Sequence, residues 1–201
     1  MKEPSTLAQQ LWDTIVNNEH AKRAIEIAIA GNHSILFIGS SDSVASALNR
    51  VVLDLGHGWG NWRPPCPCGY WRHPTIECTC DVLEVQRHRQ QLRDARSYIY
   101  VEVTPIRAES LIAAVSGTTK RSESLQEMCN RVDQAASYKK LLLDPRAQSL
   151  LVRAMRELSL DYESAMGIIK VSRTIANISS NPTEVIQVAY IAEAIQYRFQ
   201  A

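Results

Sequence analysis

Ile35-Leu36-Phe37-Ile38-Gly39-Ser40-Ser41-Asp42-Ser43-Val44-Ala45-Ser46 decides how this chain folds. Four consecutive apolar residues have the length of a strand covered on both faces. Gly39 opens a polar turn, after which Val44, Ala47, Leu48, Val51, Val52 and Leu55 recur at the spacing of one helix face. Strand, glycine, polar turn and helix form the architecture of a phosphate-binding loop. The functional pattern G-x-x-x-x-G-K-[ST] would place its second glycine at Val44 and its lysine at Ala45. A β-branched valine resists the positive φ that lets backbone amides curl around a phosphate. Alanine brings no ammonium to the β and γ phosphates. Only Gly39 and Ser46, the latter at the magnesium-hydroxyl position, match. The turn is expected to be an ordinary strand-to-helix connection, whose helix N–H groups hold an anion weakly at most. Bound ATP and magnesium are not expected.

Upstream, a short helix near Leu7–Ile15 is followed by Asn17-Asn18-Glu19 and a helix burying Ala21, Ala24, Ile25, Ala28 and Ile29. Gly31 is expected to end that helix in the left-handed conformation. Downstream, Gly56-His57-Gly58-Trp59-Gly60 leads to Arg63-Pro64-Pro65-Cys66-Pro67-Cys68-Gly69-Tyr70, and then to Glu77-Cys78-Thr79-Cys80. Thiolates are soft ligands that suit Zn²⁺, and a closed tetrahedral Cys₄ set is structural rather than catalytic. Pro65 and Pro67 stiffen the approach to the first pair, and Gly69 permits the turn that brings the second pair back. Cys66, Cys68, Cys78 and Cys80 are therefore the expected zinc ligands, although paired cysteines in such sites are usually two to four residues apart. Metal-free thiols and disulfides are the competing readings, and His73 could replace one cysteine as ligand. Cys129 falls in a distant helical pattern and is expected to be a buried thiol.

With 201 residues, 45% of them hydrophobic, the chain can build one compact core or two small subdomains. Lys+Arg 22 against Asp+Glu 21 leaves no bulk charge for nucleic acid, so any basic surface must be local. No apolar run approaches membrane-spanning length and Met1 opens no signal-like segment. A cytoplasmic protein with reduced thiols and no membrane partner is expected.

After the cysteines, Val82, Val85 and Leu92 mark one helical stripe. Arg87, Arg89, Arg93 and Arg96 make a local basic patch that could contact DNA phosphates. Asp81, Glu84 and Asp94 dilute it, and a solvated helix face is the plain alternative. Tyr98–Val103 has the pattern of a second strand. Residues 121–138 are expected as one helix with Leu125, Met128, Val132 and Ala135 inward. Asp144-Pro145 and Asp161 open two further helices. Asn181-Pro182-Thr183-Glu184 reads as a capping box before a last helix carrying Val185, Val188, Ala189, Ala192 and Ile195. Three successive amphipathic helices with short turns make an antiparallel bundle.

Trp12-x-x-Ile15, the run Asn18-Glu19-His20-Ala21-Lys22-Arg23-Ala24-Ile25-Glu26-Ile27-Ala28 and Gly31-Asn32-His33 resemble the opening segment of the magnesium-chelatase-related AAA+ ATPases. The ComM/YifB branch, linked to DNA branch migration in natural transformation, is the most similar. The likeness continues in Cys66-Pro67-Cys68-Gly69-Tyr70 with Cys78-Thr79-Cys80, in Tyr98–Val103, in Val171-Ser172-Arg173-Thr174-Ile175-Ala176 and in Ala192–Arg198. It implies that Tyr98–Val103 lies parallel beside Ile35–Ile38 and that the last helices form a lid. Arg96 falls at the family's arginine-finger position, whose plain alternative is a surface arginine beside a strand. The lid arginine that would reach a nucleotide is replaced by Glu163, and the sensor asparagine by Pro64-Pro65. The acidic Walker B segment, with most of the central sheet, has no counterpart ahead of the cysteines. The family's N-terminal domain is expected to be missing.

The expected fold is an α/β remnant of a P-loop-like AAA+ core, mostly α, with a small two-stranded parallel sheet, a zinc-type cysteine loop and a helical lid bundle. Its expected divisions are an αβα remnant with the degenerate loop at 1–60, the cysteine loop at 61–80, a helix and second strand at 81–120, and the lid at 121–201. The expected function is that of an adaptor or regulator, without ATP hydrolysis, of a AAA+ ring or DNA-processing complex. Its partner would be a AAA+ ATPase or a second copy. The alternatives are a zinc-stapled DNA-binding module using Arg87, Arg89 and Arg93, and an ATP-binding protein with a rebuilt site.

Overall fold

Ile35–Ile38 forms strand β1, and all four of its residues are buried. A computed structural model describes residues 3–40, 44–73, 75–95, 97–118 and 123–199. Ahead of β1 lie helices α1 (Thr6–Thr14) and α2 (Glu19–Gly31); α3 (Val44–Asp54) follows it. The sheet then gains β2 (Gly60–Arg63) and, after helix α4 (Val82–Asp94), β3 (Ile99–Glu102). Helices α5 (Ala108–Val115) and α6 (Leu125–Asp133) lead to the lid. The lid comprises β4 (Leu142–Leu143), α7 (Pro145–Glu157), α8 (Tyr162–Asn177), β5 (Val185–Ile186) and α9 (Val188–Gln196).

β1 is the middle of a three-stranded parallel sheet in the order β2-β1-β3, with Ile35 level with Gly60 and Ile99. The parallel pairing of β1 with β3 is as expected, but the two-stranded sheet is corrected by β2. Gly60-Asn61-Trp62-Arg63 has no apolar run because it is an edge strand with only alternate residues partly covered. At Trp62 its outer side is closed by neighbouring side chains. Asn61 Oδ1 accepts from the Trp62 N–H at 2.8 Å and from Arg63 Nη1 at 2.9 Å, while Arg63 Nη1 also donates to the Trp62 carbonyl at 3.0 Å.

One hydrophobic core runs from α1 to α9, with Trp12, Ile25, Phe37, Leu48, Ile99, Leu125, Ile175 and Ile191 fully enclosed. Trp12 Nε1 donates to the Glu123 carbonyl at 2.8 Å, which ties α1 to the approach of α6. Gly31 does not end α2 as a left-handed cap; it is the last helical residue, and Asn32 takes the left-handed position at φ 51°. Glycine is needed at 31 for closeness, since a Cβ there would sit 2.2 Å from His33 Nε2 and 2.3 Å from Thr174 Oγ1. His33 Nε2 is itself 2.8 Å from Thr174 Oγ1, which joins the sheet side to the lid.

Asp144 and Asp161 cap α7 and α8 as the sequence predicts, accepting from Ala147 N and Ser164 N. Three other expectations are corrected. Among the described residues α6 stops at Asp133, because the Ala136 N–H bonds to the Asn177 carbonyl at the end of α8 instead of continuing the helix. Thr183-Glu184 is no capping box: the Arg173 guanidinium binds both of their carbonyls, Val185-Ile186 pairs with β4, and α9 starts only at Val188. Val82 stands 65% exposed, whereas Val85 and Leu92 are buried. No helix of the described residues is long and apolar enough to cross a membrane.

Candidate functional site

Gly39 leaves β1 where a phosphate-binding loop would begin, yet its N–H donates to the Arg63 carbonyl at 3.1 Å. That donor is spent on the sheet. Residues 41–43 lie outside the described residues. Beyond them, Val44 and Ala45 face inward, Ala45 with no exposure at all, while Ser46 on the next position of α3 is exposed. The acid at the carboxyl end of β3 is Glu102, whose carboxylate is held by Arg89 at 3.1 Å. Glu163 does not approach this turn. It lies in the first turn of α8 and lines a groove shared with Tyr98 at the amino end of β3, whereas Gly39 follows the carboxyl end of β1.

The cysteine loop starts where β2 ends. Gly69 takes φ 87°, the turn predicted for it, and its N–H bonds to the Cys66 carbonyl at 3.0 Å. This folds the loop back so that Cys66, Cys68, Cys78 and Cys80 place their sulfurs within 4.8 Å of one another. Cys66 Sγ lies 3.4 Å from Cys68 Sγ and 3.7 Å from Cys78 Sγ, too long for disulfide bonds of about 2.05 Å. All four are free thiols, as is the buried Cys129, whose thiol burial pushes up to about 11. Backbone N–H groups also point at sulfur: Trp71 N at Cys66 Sγ, 3.2 Å, and Cys68 N at Cys80 Sγ, 3.3 Å. Such donors stabilise thiolate charge. Nothing in residue type or spacing signals them, and sequence reasoning missed them.

A backbone hydrogen bond from Tyr70 brings the Cys68 thiol down to about 5. Cys80 is pushed up to about 12: the Cys68 N–H favours its thiolate, but burial and the neighbouring Cys68 and Cys66 sulfurs outweigh that. Four thiolates cannot crowd together in one loop without a cation between them, and this donor set can hold a metal ion. His73 is not part of the cluster; its Nδ1 accepts from the Ile76 N–H at 3.0 Å and shapes the loop.

The arginines of α4 do not act as one patch. Arg87 and Arg93 are exposed, Arg93 donating to Gln90 Oε1 at 2.6 Å. Arg89 pairs with Glu102 and lies 5.3 Å over the Phe199 ring. Arg96 lies outside the described residues. A separate charge cluster, not anticipated, joins α2 to α6: Arg131 binds Glu26 and Glu123, and Arg23 binds Glu26 and Glu193.

The family model described as magnesium chelatase, subunit ChlI, matches residues 12–55. A second, magnesium chelatase, subunit ChlI C-terminal, matches residues 104–198. The matches bracket the cysteine loop and span α2, β1 and α3 on one side and the lid on the other. No curated protein matches the chain.

Proposed function

Since the chain belongs to the magnesium-chelatase-related, AAA+-like family, we propose that it serves an active AAA+ ring or DNA-processing complex as an adaptor or regulator and does not hydrolyse ATP. The observation that carries this reading is Ala45. The residue at the position of the phosphate-binding lysine is a fully buried part of the core. The Gly39 N–H, committed to Arg63, points the same way. A partner protein fits α5, whose Leu111, Ile112 and Val115 are 43%, 67% and 72% exposed. The paired Cys-x-Cys loop supports a place in the ComM-like branch, and zinc is the metal that suits four thiolates.

Two measurements test it. Calorimetric titration with Mg-ATP at low salt is expected to give no saturable binding at the 39–46 turn. Mixing the protein with a ComM-like ATPase of the family is expected to give a larger particle by light scattering. ATP turnover by the isolated protein, or no complex with the ATPase, would sink the adaptor reading. The DNA-module alternative is narrowed, because Arg89 is tied to Glu102 and leaves Arg87 and Arg93 as the open cations of α4.

A further inference from the structure

A groove of about 890 Å³ opens between the end of α4, the amino end of β3, the first three turns of α8 and the segment after α9, away from both the cysteine loop and the 39–46 turn. Its floor is Tyr98, 41% exposed. The ring is seated by Gly167, where a Cβ would come within 3.2 Å of Tyr98 Cδ1, and is backed by His33, with ring centroids 5.7 Å apart. Tyr162, 75% exposed, stands on the wall above.

Three cations line the same groove, and the hydrogen bonds described for each run to uncharged oxygens. Lys170 Nζ donates to Tyr98 Oη at 3.3 Å and lies 5.4 Å over its ring. Arg93 donates to Gln90 Oε1, and Arg198 to the Phe199 carbonyl at 3.0 Å. Arg198 Nε is buried without an acceptor. The fold brings them together: Tyr100 Oη donates to the Arg93 carbonyl and accepts from Ser97 N, beside Tyr98, while Tyr100 N bonds to the carbonyl of Tyr197. The acids at the rim are otherwise engaged. Asp161 caps α8, Asp94 accepts from Gln90 Nε2 at 3.1 Å, and Glu163 has a partner of its own.

An exposed Tyr162 ring and a part-exposed Tyr98 edge, beside cations whose described hydrogen bonds run to uncharged oxygens, match a planar base carrying a phosphate, through stacking and charge-assisted hydrogen bonds. We propose that this groove binds a nucleotide unit, its base on Tyr98 and Tyr162 and its phosphate on Lys170, Arg93 and Arg198. The unit is either a free mononucleotide or part of a single strand. The site is separate from the 39–46 turn and stands whether or not the adaptor reading holds.

The test is fluorescence anisotropy at low salt with two probes, a labelled dT20 oligonucleotide and a labelled AMP without magnesium. Binding of at least one probe is expected. Lys170→Glu and Arg93→Glu should each weaken it about tenfold, and Tyr162→Ala about fivefold. Arg50→Glu, exposed on α3 and outside the groove, should leave it unchanged, with circular dichroism confirming the fold of every variant. Binding of dT20 but not AMP identifies a strand as the source; binding of AMP alone identifies the free nucleotide. Failure of both probes to bind overturns the assignment. So does binding that Lys170→Glu and Arg93→Glu leave intact, or that only Arg50→Glu weakens, which would move the contact to α3.

Discussion

Ala45 is enclosed on all sides, so a lysine placed there would bury a charge and overfill the core before reaching any phosphate. Ala45→Lys is expected to cost about 3 kcal/mol in urea unfolding, with no ATP binding gained in calorimetry. A stable variant that bound ATP would show the turn to be only one residue from function. His33 offers a pH test. Burial, with His57 and Lys170 adding to it, holds its pKa at about 4 against 6.5 for a free imidazole. The unfolded chain therefore takes up a proton between these values while the folded protein does not, so stability falls as pH drops from about 6.5 towards 4. The loss amounts to at most about 3 kcal/mol, and His33→Gln should flatten that part of the urea-midpoint profile. Legibility at this scale follows distance along the chain. Asp144 and Asp161 could be named as caps because their partners lie three residues away. The role of Gly31 is hidden in the sequence because Thr174, which makes its smallness necessary, lies on α8 far along the chain.

The cysteine loop, as an element, was legible in outline: the four residues, the turn at Gly69 and the single cluster all follow from the pattern. Native mass spectrometry is expected to find one zinc per chain, and Cys78→Ser to abolish it. Stripping the metal should raise hydrogen exchange across 66–80 while α7, α8 and α9 stay protected; unchanged exchange after chelation would mean that the loop holds itself together without metal. β2 was not legible, because an edge strand of glycine, asparagine, tryptophan and arginine is made by its register against β1 and not by an apolar run. The start of α9 was misplaced for a related reason. Arg173 reaches the Thr183 and Glu184 carbonyls and draws Val185-Ile186 into a strand, an act of tertiary structure. Arg173→Met should cost about 2–4 kcal/mol by leaving those carbonyls without their donor, read as a lower urea midpoint.

At the scale of the whole molecule, sheet and lid are joined by specific contacts. Arg23 Nε bonds Glu193 Oε1 at 2.9 Å, His33 meets Thr174, and the core extends from Ala8 to Tyr197. Calorimetry should show one thermal transition, and Arg23→Ala should lower it by a few degrees without splitting it. Two separate transitions would mean that the lid unfolds independently. The fold class was legible because the central strand is a continuous apolar run and the bundle carries strong helical periodicity, whereas the links between them lie in polar pairs with no period.

The side-chain closure of β2 has a consequence for how such a short sheet survives in a crowded solution. An open parallel edge is a template on which other chains can pair and grow into fibrils. Here Asn61 and Arg63 answer the outward N–H and C=O of Trp62, leaving an arriving strand no hydrogen bonds to form at that residue and a charge to displace. The β2 edge is thereby made self-limiting at Trp62, and Asn61→Val with Arg63→Val is expected to raise the rate of aggregation, read by light scattering.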